Sequence, residues 1–194
     1  MSSELKTNKI SPATGTALQI GDSGDTITIP SGATLTNSGS ATGFGKVLQV
    51  VSSMVTGTAT TTSTSLVTTG LEGTITPSAT SSKILISISF ALAAAGGDAS
   101  PHIQLFKGSS VISGSLADVQ GSRRQSSVGM RYNAEQSTAF NYLDSPSTTS
   151  ATTYKLMYAC GQAGQDIYLN LVGTGSTTLY YTSPATMILW EIAG

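Results

Sequence analysis

Charge is scarce in this chain. Only 10% of its 194 residues are Asp, Glu, Lys or Arg, against roughly 25% in an ordinary soluble domain, so ion pairs cannot dominate its surface. Nine basic and ten acidic residues leave a formal net charge of -1. Without a basic field, neither DNA nor RNA is an expected partner. The single Cys excludes an intrachain disulfide, and the single His restricts nucleophilic and metal chemistry alike. The longest apolar stretch, Ile84 to Ala95, is interrupted by Ser87 and Ser89 and is too short for a bilayer span, so no membrane insertion is expected. The opening Met1-Ser-Ser-Glu-Leu-Lys6 has neither an apolar h-region nor a cleavage pattern, so no signal peptide is expected.

What remains is a hydroxyl-rich, β-branched composition. Thr, Val and Ile fit a pleated surface and lose rotamer freedom in helices, so the expected class is all-β with almost no helix. Lys83 to Leu92 sets Ile84, Ile86, Ile88, Phe90 and Leu92 on one face and Lys83, Ser87 and Ser89 on the other, the period of two of a half-buried strand. His102 to Lys107, then Gly108-Ser-Ser110, then Val111-Ile112, predicts a hairpin. Further strands are expected at Lys46–Val51, Ser65–Thr69, Thr74–Pro77, Val128–Tyr132, Thr138–Leu143, Thr153–Cys160, Ile167–Val172, Thr178–Thr182 and Met187–Ile192. Such close, regular spacing suits a sandwich of antiparallel sheets.

The composition shifts near Ala41-Thr-Gly-Phe-Gly45, which predicts an N-terminal anchor or stem over residues 1–45 and a β-sandwich body over residues 46–194. Within the stem, Leu18–Gly24, Ile27–Gly32 and Thr34–Gly39 repeat one pattern: apolar residues at alternate positions, then a turn ending in Gly. Each unit is too short to bury its own apolar face. Leu18, Ile20, Ile27, Ile29 and Leu35 are therefore expected at a contact between subunits. The last strand is apolar on both faces, with Ile188, Trp190 and Ile192 on one and Met187 and Leu189 on the other. The expectation is that the Trp190 face fills the core and that Met187 and Leu189 meet a second subunit.

Catalytic constellations are thin. His102 and Cys160 are far apart in sequence, and Cys160 reads as a small buried residue. Glu72, Asp98, Asp118, Glu135, Asp144 and Asp166 fall mainly in turns or at strand ends, where solvated acids are the default, so no carboxylate pair for glycan cleavage is expected. Asp22-Ser-Gly-Asp25 offers two carboxylates, short of a calcium site, and reads as a turn. No cofactor, metal or catalytic residue is expected. Arg123-Arg124, with Arg131 nearby, is the only basic cluster, read as a solvated loop or the contact for an acidic neighbour. Among the tyrosines, Tyr180-Tyr181 should point one ring outward, since adjacent strand residues face opposite sides.

Leu5–Ile10, Thr26–Leu35, Leu143–Lys155 and the ending Ile192-Ala-Gly194 together resemble structural proteins of tailed bacteriophages, in particular fibre and capsid-decoration proteins of phages that infect aquatic bacteria, including cyanobacteria. The resemblance implies a jelly-roll body similar to the trimeric C1q and tumour-necrosis-factor type. It also implies location in the virion after synthesis in the host cytoplasm, and docking on capsid or tail through the N-terminal segment. The function it implies is a short homotrimeric fibre that binds host-surface glycan or protein, or alternatively a decoration that stabilises the shell without host contact.

Overall fold

The computed structural model describes residues 10–12, 14–34, 36, 46–95, 99–129, 135–172 and 181–194. The chain divides into two units, Met1–Phe44 and Gly45–Gly194.

In the first unit the Gly-ended repeats keep their turns but form no strand among the described residues. Asp25 N–H donates to Asp22 C=O at 3.0 Å and Ala33 N–H to Pro30 C=O at 3.1 Å. Gly24 and Gly32 take φ of 98° and 85°, a region that costs glycine nothing. A short strand needs a hydrogen-bonded neighbour, and the described residues 10–34 do not supply one.

The second unit is all-β and antiparallel. In chain order its strands are β1 (Val47–Val55), β2 (Ala59–Thr61), β3 (Val67–Ile75), β4 (Lys83–Ala95), β5 (Pro101–Lys107), β6 (Ser110–Val111), β7 (Glu135–Asp144), β8 (Thr152–Cys160), β9 (Asp166–Leu169), β10 (Leu171–Val172), β11 (Tyr181–Thr182) and β12 (Ala185–Ile192). Only the 3-10 turn Ser113–Ser115 departs from this pattern among the described residues.

One sheet is built around β4. On one side β4 pairs with β7 from Ile84 to Ala93. On the other it pairs first with β12 and then, from Leu92 to Ala95, with β9. β1 adds to β12 and β2 to β9. The second sheet runs β3-β8-β5-β6. Period-two alternation aims one face of each sheet at the other: Ile84, Ile86, Ile88 and Phe90 meet Leu71, Ile75, Ile103, Leu105, Leu156 and Tyr158 in one apolar core. A small ribbon, β10-β11, stands apart from both sheets in its pairing.

Three departures from simple strands have local causes. The runs Ser65–Thr69 and Thr74–Pro77 are one strand, β3, whose register slips between Thr68 and Glu72. Gly70, at φ 80°, makes the bulge, and the Thr69 hydroxyl donates to Leu156 C=O at 2.7 Å, replacing the lost ladder bond. The expected strand Ile167–Val172 breaks at Asn170, which sits at φ 61°, and its Nδ2 donates to the carbonyls of Val55 and Gly57 at 2.7 and 2.9 Å. Val128 and Gly129 are not strand, and the rest of the expected strand Val128–Tyr132 lies outside the described residues. Thr178–Tyr180 also lie outside them.

Candidate functional site

The last strand turns over the expected assignment of its faces. Met187 and Leu189 are 0% exposed and point inward with Ala185. A Cβ placed on Gly73 of the opposite sheet would come within 3.1 Å of Leu189 Cδ1 and 3.4 Å of Met187 Sδ, so these two side chains pack directly against a glycine of the other sheet. Both residues belong to the core of a single chain, and neither is available to a second subunit. The physical reason is register: β12 lies between β1 and β4, so its inward set is shared with Ile86 and Ile88. The outward set is Ile188, Trp190 and Ile192, all half-buried.

On that outer face the register aligns an apolar row across four strands. Val50 of β1 pairs with Trp190, Trp190 with Leu85 of β4, and Leu85 with Leu143 of β7. Val50 and Leu143, at the two ends, are 49% and 48% exposed. The next row inward along β4 is Ser52, Ile188, Ser87 and Asn141, and the one after it Met54, Thr186, Ser89 and Ala139. Twelve adjoining positions therefore carry no charge, and the Ser89 and Thr186 hydroxyls bond each other at 2.7 Å. Further along β4, the outward Ala91 and Ala93 are buried, and β10 lies beside β4 and β7 there.

Of the stem residues, Leu18, Ile20, Ile27 and Ile29 are exposed, and Leu35 lies outside the described residues. Asp22 and Asp25 form a turn in which Asp22 N–H donates to Asp25 Oδ2 at 2.8 Å and Gln19 Nε2 donates to Asp22 Oδ1 at 3.0 Å. Among the described residues, no three His, Cys, Asp or Glu side chains gather where they could hold a metal ion.

Two acids that sequence reading left in solvent, or passed over, are buried. Asp144 ends β7 and is 7% exposed. It takes Lys107 Nζ of β5 at 2.9 and 3.2 Å and the Tyr154 hydroxyl of β8 at 2.7 Å. Burial first, then the hydrogen bond to Asp144 and its charge, push the Tyr154 phenol far above its ordinary value of 10.0. Glu191 of β12 is fully buried. Its carboxylate accepts from Gln49 Nε2 at 2.6 Å, from the Ser78 N–H and hydroxyl at 2.6 Å each, and from the Ser82 hydroxyl at 2.7 Å. Burial alone would raise its pKa, but these donors outweigh it and hold the group at about 2. Alternation puts Glu191 on the same face as Met187 and Leu189, so its burial follows only once that face is seen to meet the core.

The only His and Cys do not form a pair. Cys160 is buried, while His102 Nε2 lies 2.7 Å from Gln125 C=O. A carbonyl only accepts, so Nε2 carries the proton. Arg124 donates through Nη1 to the carbonyls of Cys160 and Thr64 at 3.1 and 3.3 Å, holding the loop after the 3-10 turn against the end of β8. Ser126 and Ser127 fasten the same loop beside β5: Ile103 N–H donates to Ser126 Oγ and Leu105 N–H to Ser127 Oγ, each at 3.0 Å. The result is an open cleft of about 550 Å³ between the loop, the start of β5 and Gly161. Sequence distance hid this juxtaposition. Of the tyrosines, Tyr154 and Tyr158 are core, Tyr181 is exposed, and Tyr132 and Tyr180 lie outside the described residues.

These features define an all-β protein with two antiparallel sheets, an outer face with little charge and a basic cleft beside the start of β5. No family model matches the chain, and no curated protein matches it.

Proposed function

We propose that this is a structural virion protein of a tailed bacteriophage, a short homotrimeric fibre that docks on capsid or tail through its N-terminal segment and presents its β-sandwich body to the host cell surface. The observation that carries the reading is the row Val50, Trp190, Leu85 and Leu143. Bordered on one side by the row Val47, Ile192 and Lys83 and on the other by hydroxyl, amide and small side chains, this apolar face offers little charge with which to select a charged partner, and further copies of the chain can cover it. The number three comes from the resemblance to phage fibre and decoration proteins. A jelly-roll reading of the body is supported by the sheet orders, β1-β12-β4 with β7 facing β3-β8-β5-β6, in which strands distant in sequence become neighbours.

Binding, rather than catalysis, is the work this geometry favours. Three bodies on one axis raise weak contacts to useful strength, because each later contact is made at an effective concentration in the millimolar range. Particles lacking the protein provide the test. Lost adsorption with normal resistance to heat and osmotic shock is the expected result. Normal adsorption with fragile particles would instead make the protein a decoration that reinforces the shell without host contact.

A further inference from the structure

The cleft at the end of the second sheet gathers the basic groups that the assembly reading leaves without a role. Arg123, Arg124, His102 and Ser100 line it together with the apolar Pro101 and Val128. We propose that this cleft binds a carboxylate-bearing sugar, of the uronic-acid class, in the host's surface polysaccharide. The inference rests on the host-attachment reading above and names the ligand chemistry that reading leaves open.

Three observations support the assignment. The loop that carries the arginines is fixed before any ligand arrives, because Gln104 Nε2 and the His102 ring both bond Gln125 C=O, at 2.8 and 2.7 Å, and Ser127 N–H bonds Ile103 C=O at 2.8 Å. Preorganised donors lose little freedom on binding. Among the described residues Arg124 is bonded through Nη1 alone, so the rest of its five-donor fork can meet a carboxylate beside the Arg123 guanidinium, with the charge-assisted geometry arginine favours. The remaining lining is hydroxyl, proline, valine and glycine, which suits a ring with hydroxyl edges and apolar C–H faces better than it suits a bare inorganic anion. The cleft's volume falls within the roughly 300–1,000 Å³ of small-ligand sites.

Calorimetric titration of the full-length protein with glucuronic acid and with glucose, at physiological ionic strength, tests the proposal. The expected result is saturable glucuronate binding in the millimolar range, with glucose at least ten-fold weaker. Arg123→Glu should lower glucuronate affinity ten-fold or more without moving the thermal melting point, since Arg123 is exposed, and Arg123→Lys should keep part of the affinity. No saturation, equal affinity for glucose, or full affinity in Arg123→Glu would overturn it. So would tighter binding of an aspartate-rich peptide than of a glucuronate oligomer, which would assign the cleft to an acidic protein neighbour. Light scattering on the same samples separates the two readings: a trimer that ignores glucuronate loses the sugar site and keeps the assembly, whereas a monomer that binds it does the reverse.

Discussion

The Tyr154 hydroxyl on β8 donates a 2.7 Å hydrogen bond to Oδ2 of Asp144 on β7, tying together the two sheets. Lys107 of β5 completes the cluster with an ion pair to the same oxygen at 2.9 Å. A carboxylate removed from water is tolerated only when its lone pairs are met, and here two groups of one sheet meet an acid of the other.

Tyr154→Phe should therefore cost about 1.5–3 kcal/mol, the usual scale of a hydrogen bond to a charged group. Urea unfolding of the two proteins at neutral pH measures it. Because the phenol's pKa is raised in the folded state, its contribution is complete below pH 10, the ordinary value, and is lost as the pH climbs above it. The wild type should thus lose stability above about pH 10, and Tyr154→Phe should lose less.

Glu191 responds at the other end of the scale. Its pKa lies at about 2, below the usual 4.5, so its contribution is complete above pH 4.5 and fades as the pH falls toward 2. A urea midpoint that drops across that window in the wild type and stays flatter in Glu191→Gln is the expected pattern. At neutral pH the substitution should cost on the order of 1–3 kcal/mol, since the Ser78, Ser82 and Gln49 donors then face a weaker acceptor.

The contact of β12 with the facing sheet makes Gly73 a sensitive site. A Cβ there stands 3.1 Å from Leu189 Cδ1, so Gly73→Val should overpack the core and cost roughly 1–3 kcal/mol. Gly73→Ala should cost less, because the Leu189 and Met187 side chains can shift by the few tenths of an ångström required. Thermal melting of the pair checks the order.

Much of this architecture is legible in the amino-acid order, and what is missing follows from a few physical limits. Period two places β4, β8 and β12 because each carries a run of alternating residues with one buried face, although β4 from Ala91 and β8 from Tyr158 are buried on both. The bulge at Gly70 and the break at Asn170 were missed because each is stabilised by groups distant in sequence, Leu156 C=O in one case and the Val55 and Gly57 carbonyls in the other. Alternation shows that Met187 and Leu189 share a face but not which face meets the core. That depends on Gly73, more than a hundred residues earlier. The buried acids have the same origin, since a strand-end carboxylate looks solvated until Lys107 and Tyr154 are brought to it. The basic cleft is a product of the docked loop, and no local pattern around Arg123-Arg124 encodes its neighbours His102 and Gly161.

The outer face of β12 is the surface on which the functional reading depends, and light scattering of the full-length protein at micromolar concentration tests it most directly. The expected mass is three times the 19.7 kDa of one chain. Leu85→Lys, which puts a charge in the middle of the apolar row, should reduce it to one chain with the fold retained. Leu189→Ala should leave the mass at three while lowering stability by about 2–5 kcal/mol, as a core cavity does. A wild-type protein that scatters as a single 19.7 kDa chain, or a Leu85→Lys variant that remains assembled, would contradict the account.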